Sequence, residues 1–281
     1  MISINDLSFT YEHGAEEALH NISLEIKDGA FLGIIGPSGA GKTTLLSAIN
    51  GIIPHHYKGR YYGSVKINSC DTFDMSLTDL SLSVGTVFQD IDSQLVNAVV
   101  EDEMLFGLEN FGVPYSEAQS RAEAVLKEIG IANLRHRYIN TLSGGQKQKV
   151  AIASVIALRP KILLLDEPTG ELDPLSSRQI FNLLKKLNSD YGMTVVIVEQ
   201  KIMLLSEFAD ELAVVNGGKI EFYGPVREVL RNSRELIEMG VNCPRVVSLS
   251  NALYERGIAV SGAAGHYPAI GGNVEQAETR I

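Results

Sequence analysis

The run Gly36-Pro37-Ser38-Gly39-Ala40-Gly41-Lys42-Thr43-Thr44 decides how this chain is read, because it fills every fixed position of the pattern G-x-x-x-x-G-K-T. The residues before it, Ala30-Phe31-Leu32-Gly33-Ile34-Ile35, read as a buried strand, and Leu45 to Ile49 after it read as a helix. In that setting the glycines let backbone N–H groups curl around a β-phosphate, aided by the positive end of the helix dipole. Gly36, Ser38, Gly39, Ala40, Gly41 and Thr44 are therefore expected to bind a nucleoside triphosphate. Lys42 supplies a point charge to the β/γ oxygens, and the Thr43 hydroxyl is placed to ligate Mg²⁺. A plain glycine-rich turn before a helix is the alternative, and the complete motif between strand and helix argues against it.

Two further segments narrow the class. Leu142-Ser143-Gly144-Gly145-Gln146 is followed by Lys161-Ile162-Leu163-Leu164-Leu165-Asp166-Glu167, an apolar run ending in two carboxylates. Uninterrupted apolarity implies a strand buried on both faces of a parallel sheet. Ligands sit at the carboxyl ends of such strands, so Asp166 and Glu167 should emerge beside the phosphate loop. Asp166 can reach the metal through water, and Glu167 can polarise an attacking water as general base. An acidic pair at a strand end is by itself more often a solvated turn; the other two motifs on the same chain favour a site.

These three elements in this order resemble the ATP-binding cassette (ABC) ATPases, over about residues 1 to 225. The resemblance implies an α/β P-loop NTPase fold, with a mixed sheet core and an inserted helical subdomain at about 90–160. Beyond residue 225, short helical patterns point to a helical extension at 226–261, and the Gly- and Ala-rich stretch 262–281 reads as a loosely ordered tail. The resemblance also implies that Tyr11 stacks on adenine, that Gln89 senses the γ-phosphate through Mg²⁺ or water, and that Glu171-Leu172-Asp173 crosses to a partner subunit. Asp173 can also cap the helix opened by Pro174. Ser143, Gly144, Gly145 and Gln146 form the signature, which closes over nucleotide held by the other subunit, so a second ABC ATPase is required, identical or paralogous. One position departs: where the family has a histidine, this chain has Gln200, expected to steady the γ-phosphate region as an amide donor without charge. Milder departures are Lys149 and Glu171.

Composition bounds the rest. With 281 residues and 45% hydrophobic content, the chain suits one α/β cassette with a small appendage. No stretch reaches the roughly 20 apolar residues that span a bilayer, and Met1 to Asp6 lacks the features of a secretion signal, so a cytoplasmic location is expected. Cys70 and Cys243 are too few for a disulfide framework and read as reduced packing residues. The net charge of -10 argues against nucleic acid as a partner and is compatible with basic cytoplasmic segments of a membrane protein. Val125, Leu126 and Ile129 mark an amphipathic helix after a break at Gly112-Val113-Pro114, and Asn216-Gly217-Gly218 reads as a hairpin turn. The neighbours His55 and His56 read as surface residues rather than metal ligands.

The stretches Phe88 to Val96, Val100 to Asn110 and Asn50 to Tyr57, with Cys243-Pro244-Arg245, resemble the energy-coupling factor ATPases that drive uptake of vitamins, vitamin precursors and cobalt or nickel. That resemblance implies a peripheral place on the cytoplasmic face of the membrane, beside a transmembrane coupling protein and a small substrate-capture membrane protein. Glu101, Asp102, Glu103 and Glu109 lie where basic coupling helices would dock, and read equally as a solvated helix start whose acids suit the dipole. Two other functions share the cassette: a soluble ATPase switch, and a nucleotide-gated partner with weak hydrolysis.

Overall fold

The computed structural model describes residues 1–255; the expected tail lies outside them. Two antiparallel strands, β1 (Ile2–Tyr11) and β2 (Leu19–Ile26), open the chain, and β3 (Phe31–Ile35) runs into α1 (Lys42–Ile49) and the short α2 (Ile52–His55). β4 (Gly59–Ile67) returns beside β1, and β5 (Cys70–Asp71) completes a four-stranded antiparallel sheet of order β2-β1-β4-β5. The antiparallel start thus forms its own sheet rather than one edge of the parallel core. The two are joined where the His20 N–H donates to the Gly218 carbonyl at 2.7 Å.

α3 (Leu77–Ser83) and β6 (Val84–Val87) precede a helical run: α4 (Ile91–Gln94), α5 (Val100–Asn110), α6 (Tyr115–Glu128) and α7 (Gly144–Ala157). The chain then alternates through β7 (Ile162–Asp166), α8 (Pro174–Tyr191), β8 (Thr194–Val198) and α9 (Ile202–Phe208). It closes on the hairpin β9 (Glu211–Asn216) and β10 (Lys219–Pro225), followed by α10 (Val226–Leu230), α11 (Ser233–Glu238) and α12 (Arg245–Glu255). Gly217 and Gly218 both take positive φ at the hairpin turn, which suits the right-handed twist of its strands.

The second sheet has the order β10-β9-β3-β8-β7-β6, with β6, β7, β8, β3 and β9 parallel. β3, β7 and β8 are buried at every residue, as unbroken apolar runs require. Their side chains divide strictly by face. Phe31, Leu163, Leu165, Val195 and Ile197 join the core built on α5–α8, while Leu32, Leu164, Val196 and Val198 join the core shared with the antiparallel sheet and α1. β8 lies between β3 and β7, so the ends of these three strands converge on one edge.

Cys243 is half-buried against the first core, but Cys70 is exposed on the two-residue β5, so it does not pack as expected. His55 Nε2 lies 2.9 Å from the Thr72 carbonyl.

Candidate functional site: a phosphate loop with two held carboxylates

The turn leaving β3 is shaped by close backbone approach. A Cβ on Gly36 would lie 2.0 Å from the Val215 carbonyl oxygen, and one on Gly41, the N-cap of α1 at φ 102°, would lie 2.5 Å from the Ala18 oxygen. Only glycine fits either place. Ser38, Gly39 and Thr43 face solvent, whereas Ala40, Lys42 and Thr44 are buried. Lys42 Nζ donates to the carbonyls of Gly36 (2.9 Å) and Pro37 (2.8 Å), lying within the loop. Burial pulls its pKa down, and the nearby Glu167 and Asp166 carboxylates oppose that pull.

Asp166 ends β7 at 5% exposure. Burial pushes its pKa up, while the Thr43 hydroxyl acts in the opposite direction through a hydrogen bond. Its Oδ1 is buried without a hydrogen-bond partner. A buried carboxylate oxygen left unsatisfied is costly, and a hard cation beside the Thr43 hydroxyl would satisfy it, so these residues fit Mg²⁺.

Glu167, the next residue, takes φ 46°, a conformation uncommon for a residue with a Cβ. Its N–H donates to the Val198 carbonyl at 2.9 Å, fixing it to the end of β8. Two amides hold its carboxylate: Gln200 Nε2 donates to Oε1 at 2.8 Å, and Gln89 Nε2 approaches Oε2 at 3.4 Å. The amide of Gln200, expected to steady the γ-phosphate region, is directed in this structure to Glu167. Backbone strain and hydrogen bonding together aim one carboxylate at one place.

Tyr11, the last residue of β1, shares a hydrogen bond of 3.1 Å between its hydroxyl and Thr44 Oγ1, which ties it to α1. Its ring meets those of Phe9 (4.9 Å) and Tyr57 (5.9 Å) nearly edge-on. Ser143 caps α7 through a capping box: its Oγ accepts from Gln146 N–H, and Gln146 Oε1 accepts from Ser143 N–H at 3.0 Å. Gln146, expected with Ser143, Gly144 and Gly145 to contact nucleotide held by the other subunit, takes part in this capping box. Among the described residues no hydrogen bond joins Ser143–Gln146 to Gly36–Thr44. Gly144 instead shares a cleft of about 520 Å³ with Gln89, Lys147, Glu167, Gly170 and Leu172. Asp173 caps α8, and hydrogen bonds from Ser176 and Leu175 hold its carboxyl below the usual carboxylate range.

The acidic cluster is largely spoken for. Glu101 pairs with Arg135 (2.6 Å) and His136 (3.0 Å), and Glu103, 6% exposed, accepts from the N–H groups of Val96 and Asn97. Only Asp102 and Glu109 remain exposed. The contacts missed in the sequence are those of Glu199, Lys201 and Tyr57; Lys201 adjoins a recognised position, but nothing in the sequence gives its direction.

A glycine loop at a helix N-terminus, with a buried aspartate and an oriented glutamate at the end of a parallel strand of the same sheet, defines a P-loop nucleoside triphosphatase. The family described as ABC transporter matches residues 19–170. The chain belongs to that family, as one of its ATP-binding, ATP-hydrolysing cassettes, and is similar to the energy-coupling factor type. It is 41% identical to a putative ABC transporter ATP-binding protein of Pyrococcus horikoshii, covering 92% of this chain and 91% of the relative. It is 38% identical to the energy-coupling factor transporter ATP-binding protein EcfA2 of Caldanaerobacter subterraneus subsp. tengcongensis, covering 92% and 91%. The solved structure of cbiO1 from Clostridium perfringens, described as part of the ABC transporter complex cbiONQ, matches with a TM-score of 0.75 and 33% identity, over 88% of this chain and 97% of that one.

Proposed function

We propose that this chain is one of two ATPase subunits powering an energy-coupling factor uptake transporter whose cargo is a vitamin, a vitamin precursor, or cobalt or nickel. The observation that carries the reading is the similarity to EcfA2 along nearly the whole of both chains. Among the described residues no helix is long and apolar enough to cross a membrane. Under this proposal the chain sits on the cytoplasmic face beside a coupling protein and a substrate-capture protein that do cross the membrane.

In this reading the adenine stacks on Tyr11, and the phosphates lie in the loop from Gly36 to Thr44 with Lys42 on the β/γ oxygens. Thr43, Gln89 and Asp166 would hold Mg²⁺, which neutralises phosphate charge when bound. Glu167 accepts the proton of the attacking water, oriented by Gln200 and Gln89. The 143–146 turn of the second cassette covers the phosphates, and hydrolysis releases the pair. A cassette that binds ATP but turns it over slowly is the second reading, favoured by the uncharged Gln200 on Glu167.

The test is a mild-detergent pull-down at low salt with mass spectrometry. Recovery of a second cassette with a multi-span coupler and a small capture protein is expected. Recovery of soluble partners alone overturns the transport reading and leaves an ATPase switch.

A further inference from the structure

Beyond β8 the chain passes through Glu199, Gln200 and Lys201, and each side chain is committed to a different neighbour. Gln200 serves Glu167. Glu199, 1% exposed, turns inward: Oε1 accepts the N–H groups of Gln200 (2.8 Å) and Lys201 (3.2 Å), and Oε2 accepts the Thr169 hydroxyl at 2.5 Å. Lys201 reaches the other way. Its Nζ donates to the carbonyls of Thr169 (2.6 Å) and Leu172 (2.9 Å) and to Ser177 Oγ (2.8 Å).

An ammonium has three hydrogens, and all three are used. The acceptors are the two ends of the 169–172 turn and the first turn of α8, and Thr169 and Ser177 are wholly buried. Leu172 N–H closes the turn on Thr169 O at 3.0 Å, and Ser177 Oγ donates to Asp173 O at 2.9 Å. The turn thus gathers its oxygens on one positive charge, which strengthens each hydrogen bond. Without that charge the carbonyls would lose their partner in a poorly hydrated place. A continuous set of bonds therefore runs from the Glu167 carboxylate through Gln200, Glu199 and Thr169 to Lys201 and the segment Gly170-Glu171-Leu172-Asp173.

We propose that Lys201 is a positioning residue that locks the 169–173 turn to the strand end bearing Gln200, so that the state of Glu167 is passed to the edge where two cassettes meet. The proposal rests on the reading that Glu171-Leu172-Asp173 crosses to the partner subunit. A charge that only braced the fold would affect stability; one that transmits between sites also sets how the two sites cooperate.

The experiment is ATP hydrolysis by the complete transporter carrying Lys201→Met, of similar length without charge, or Lys201→Arg, which keeps the charge. Lys201→Met is expected to lower kcat about tenfold and bring the Hill coefficient for ATP toward one. Binding of a fluorescent ATP analogue should stay within about twofold of wild type, and Lys201→Arg should recover most of the kcat. A Lys201→Met complex with wild-type kcat and Hill coefficient overturns the proposal. So does equal loss in Lys201→Arg and Lys201→Met alongside an equal fall in Tm. Should Lys201→Met fail to fold, Ser177→Ala removes one of the three acceptors, and an unchanged Hill coefficient there is equally decisive against it. A wild-type complex with a Hill coefficient of one and no ATP-dependent association of cassettes overturns the two-cassette reading itself, and this proposal with it.

Discussion

Gln200 and Glu167 meet across the ends of the neighbouring strands β8 and β7, the amide Nε2 donating to carboxylate Oε1 at 2.8 Å. The contact orients the carboxylate without adding a titrating group beside it. Gln200→Ala is expected to lower kcat about 10²-fold with KM held within about twofold, because orientation of the base is lost while the phosphate loop is untouched. Glu167→Gln should lower kcat further, by about 10³-fold, and keep ATP binding. Steady-state phosphate release measures both, and a Gln200→Ala enzyme with wild-type kcat would remove Gln200 from the chemistry.

Tyr11 contributes a ring and a hydroxyl, and two substitutions separate them. Tyr11→Phe keeps the ring and loses the 3.1 Å hydrogen bond to Thr44, costing about 1 kcal/mol of stability with little change in KM. Tyr11→Ala removes the stacking surface and should raise KM for ATP about tenfold at constant kcat. Equal KM values for the two variants would show that the ring is not a base platform.

Tyr61 sets an alkaline limit. Burial, with the Asp71 carboxylate nearby, pushes its pKa up to about 12, so the folded chain keeps the phenol neutral after the unfolded chain has ionised at about 10. A raised folded pKa gives stability that is full below the unfolded pKa and lost as pH climbs through the folded one. The loss from this group falls between about pH 10 and about 12. Denaturant titrations at a series of pH values should show the slope reduced in Tyr61→Phe, with no difference between the proteins in pH dependence near neutrality.

Glycines in the phosphate loop are not equivalent. A Cβ at Gly36 would lie 2.0 Å from the Val215 oxygen, whereas one at Gly39 meets nothing within 4 Å. Gly36→Ala is therefore expected to cost more than about 2 kcal/mol and to abolish ATP binding by displacing the loop. Gly39→Ala carries only the strain of its positive φ, about 1 kcal/mol. Thermal unfolding with and without nucleotide separates the two; a larger loss for Gly39→Ala would contradict the geometry.

The parts of the site legible in the sequence are those set by local chemistry. The loop at 36–44, the buried strand ending in Asp166 and the turn at Gly217-Gly218 each carry their physical reason within a few residues. What was hidden depends on partners far along the chain. The family position of Gln200 points toward phosphate, and its contact with Glu167, 33 residues away, comes from the pairing of β7 with β8. The capping box of Ser143 and Gln146, by contrast, is local and is carried by the S-x-x-Q spacing. Glu101 and Glu103 looked available and are used by Arg135 and by the backbone of Val96 and Asn97. A side chain of the right type at the right place still has several neighbours to choose from, and the choice is tertiary.

The strict division of the parallel sheet between two cores bears on how this chain can change over time. Leu163 and Leu165 belong to one packed cluster and Leu164 between them to another, so each face of the sheet has its own set of packing neighbours. Each side of the sheet can drift in sequence by itself, as two molecules would, while the strand ends between them stay where the phosphates need them. The core built on α5–α8 and the core shared with α1 and the antiparallel sheet can thus have separate histories in one small chain.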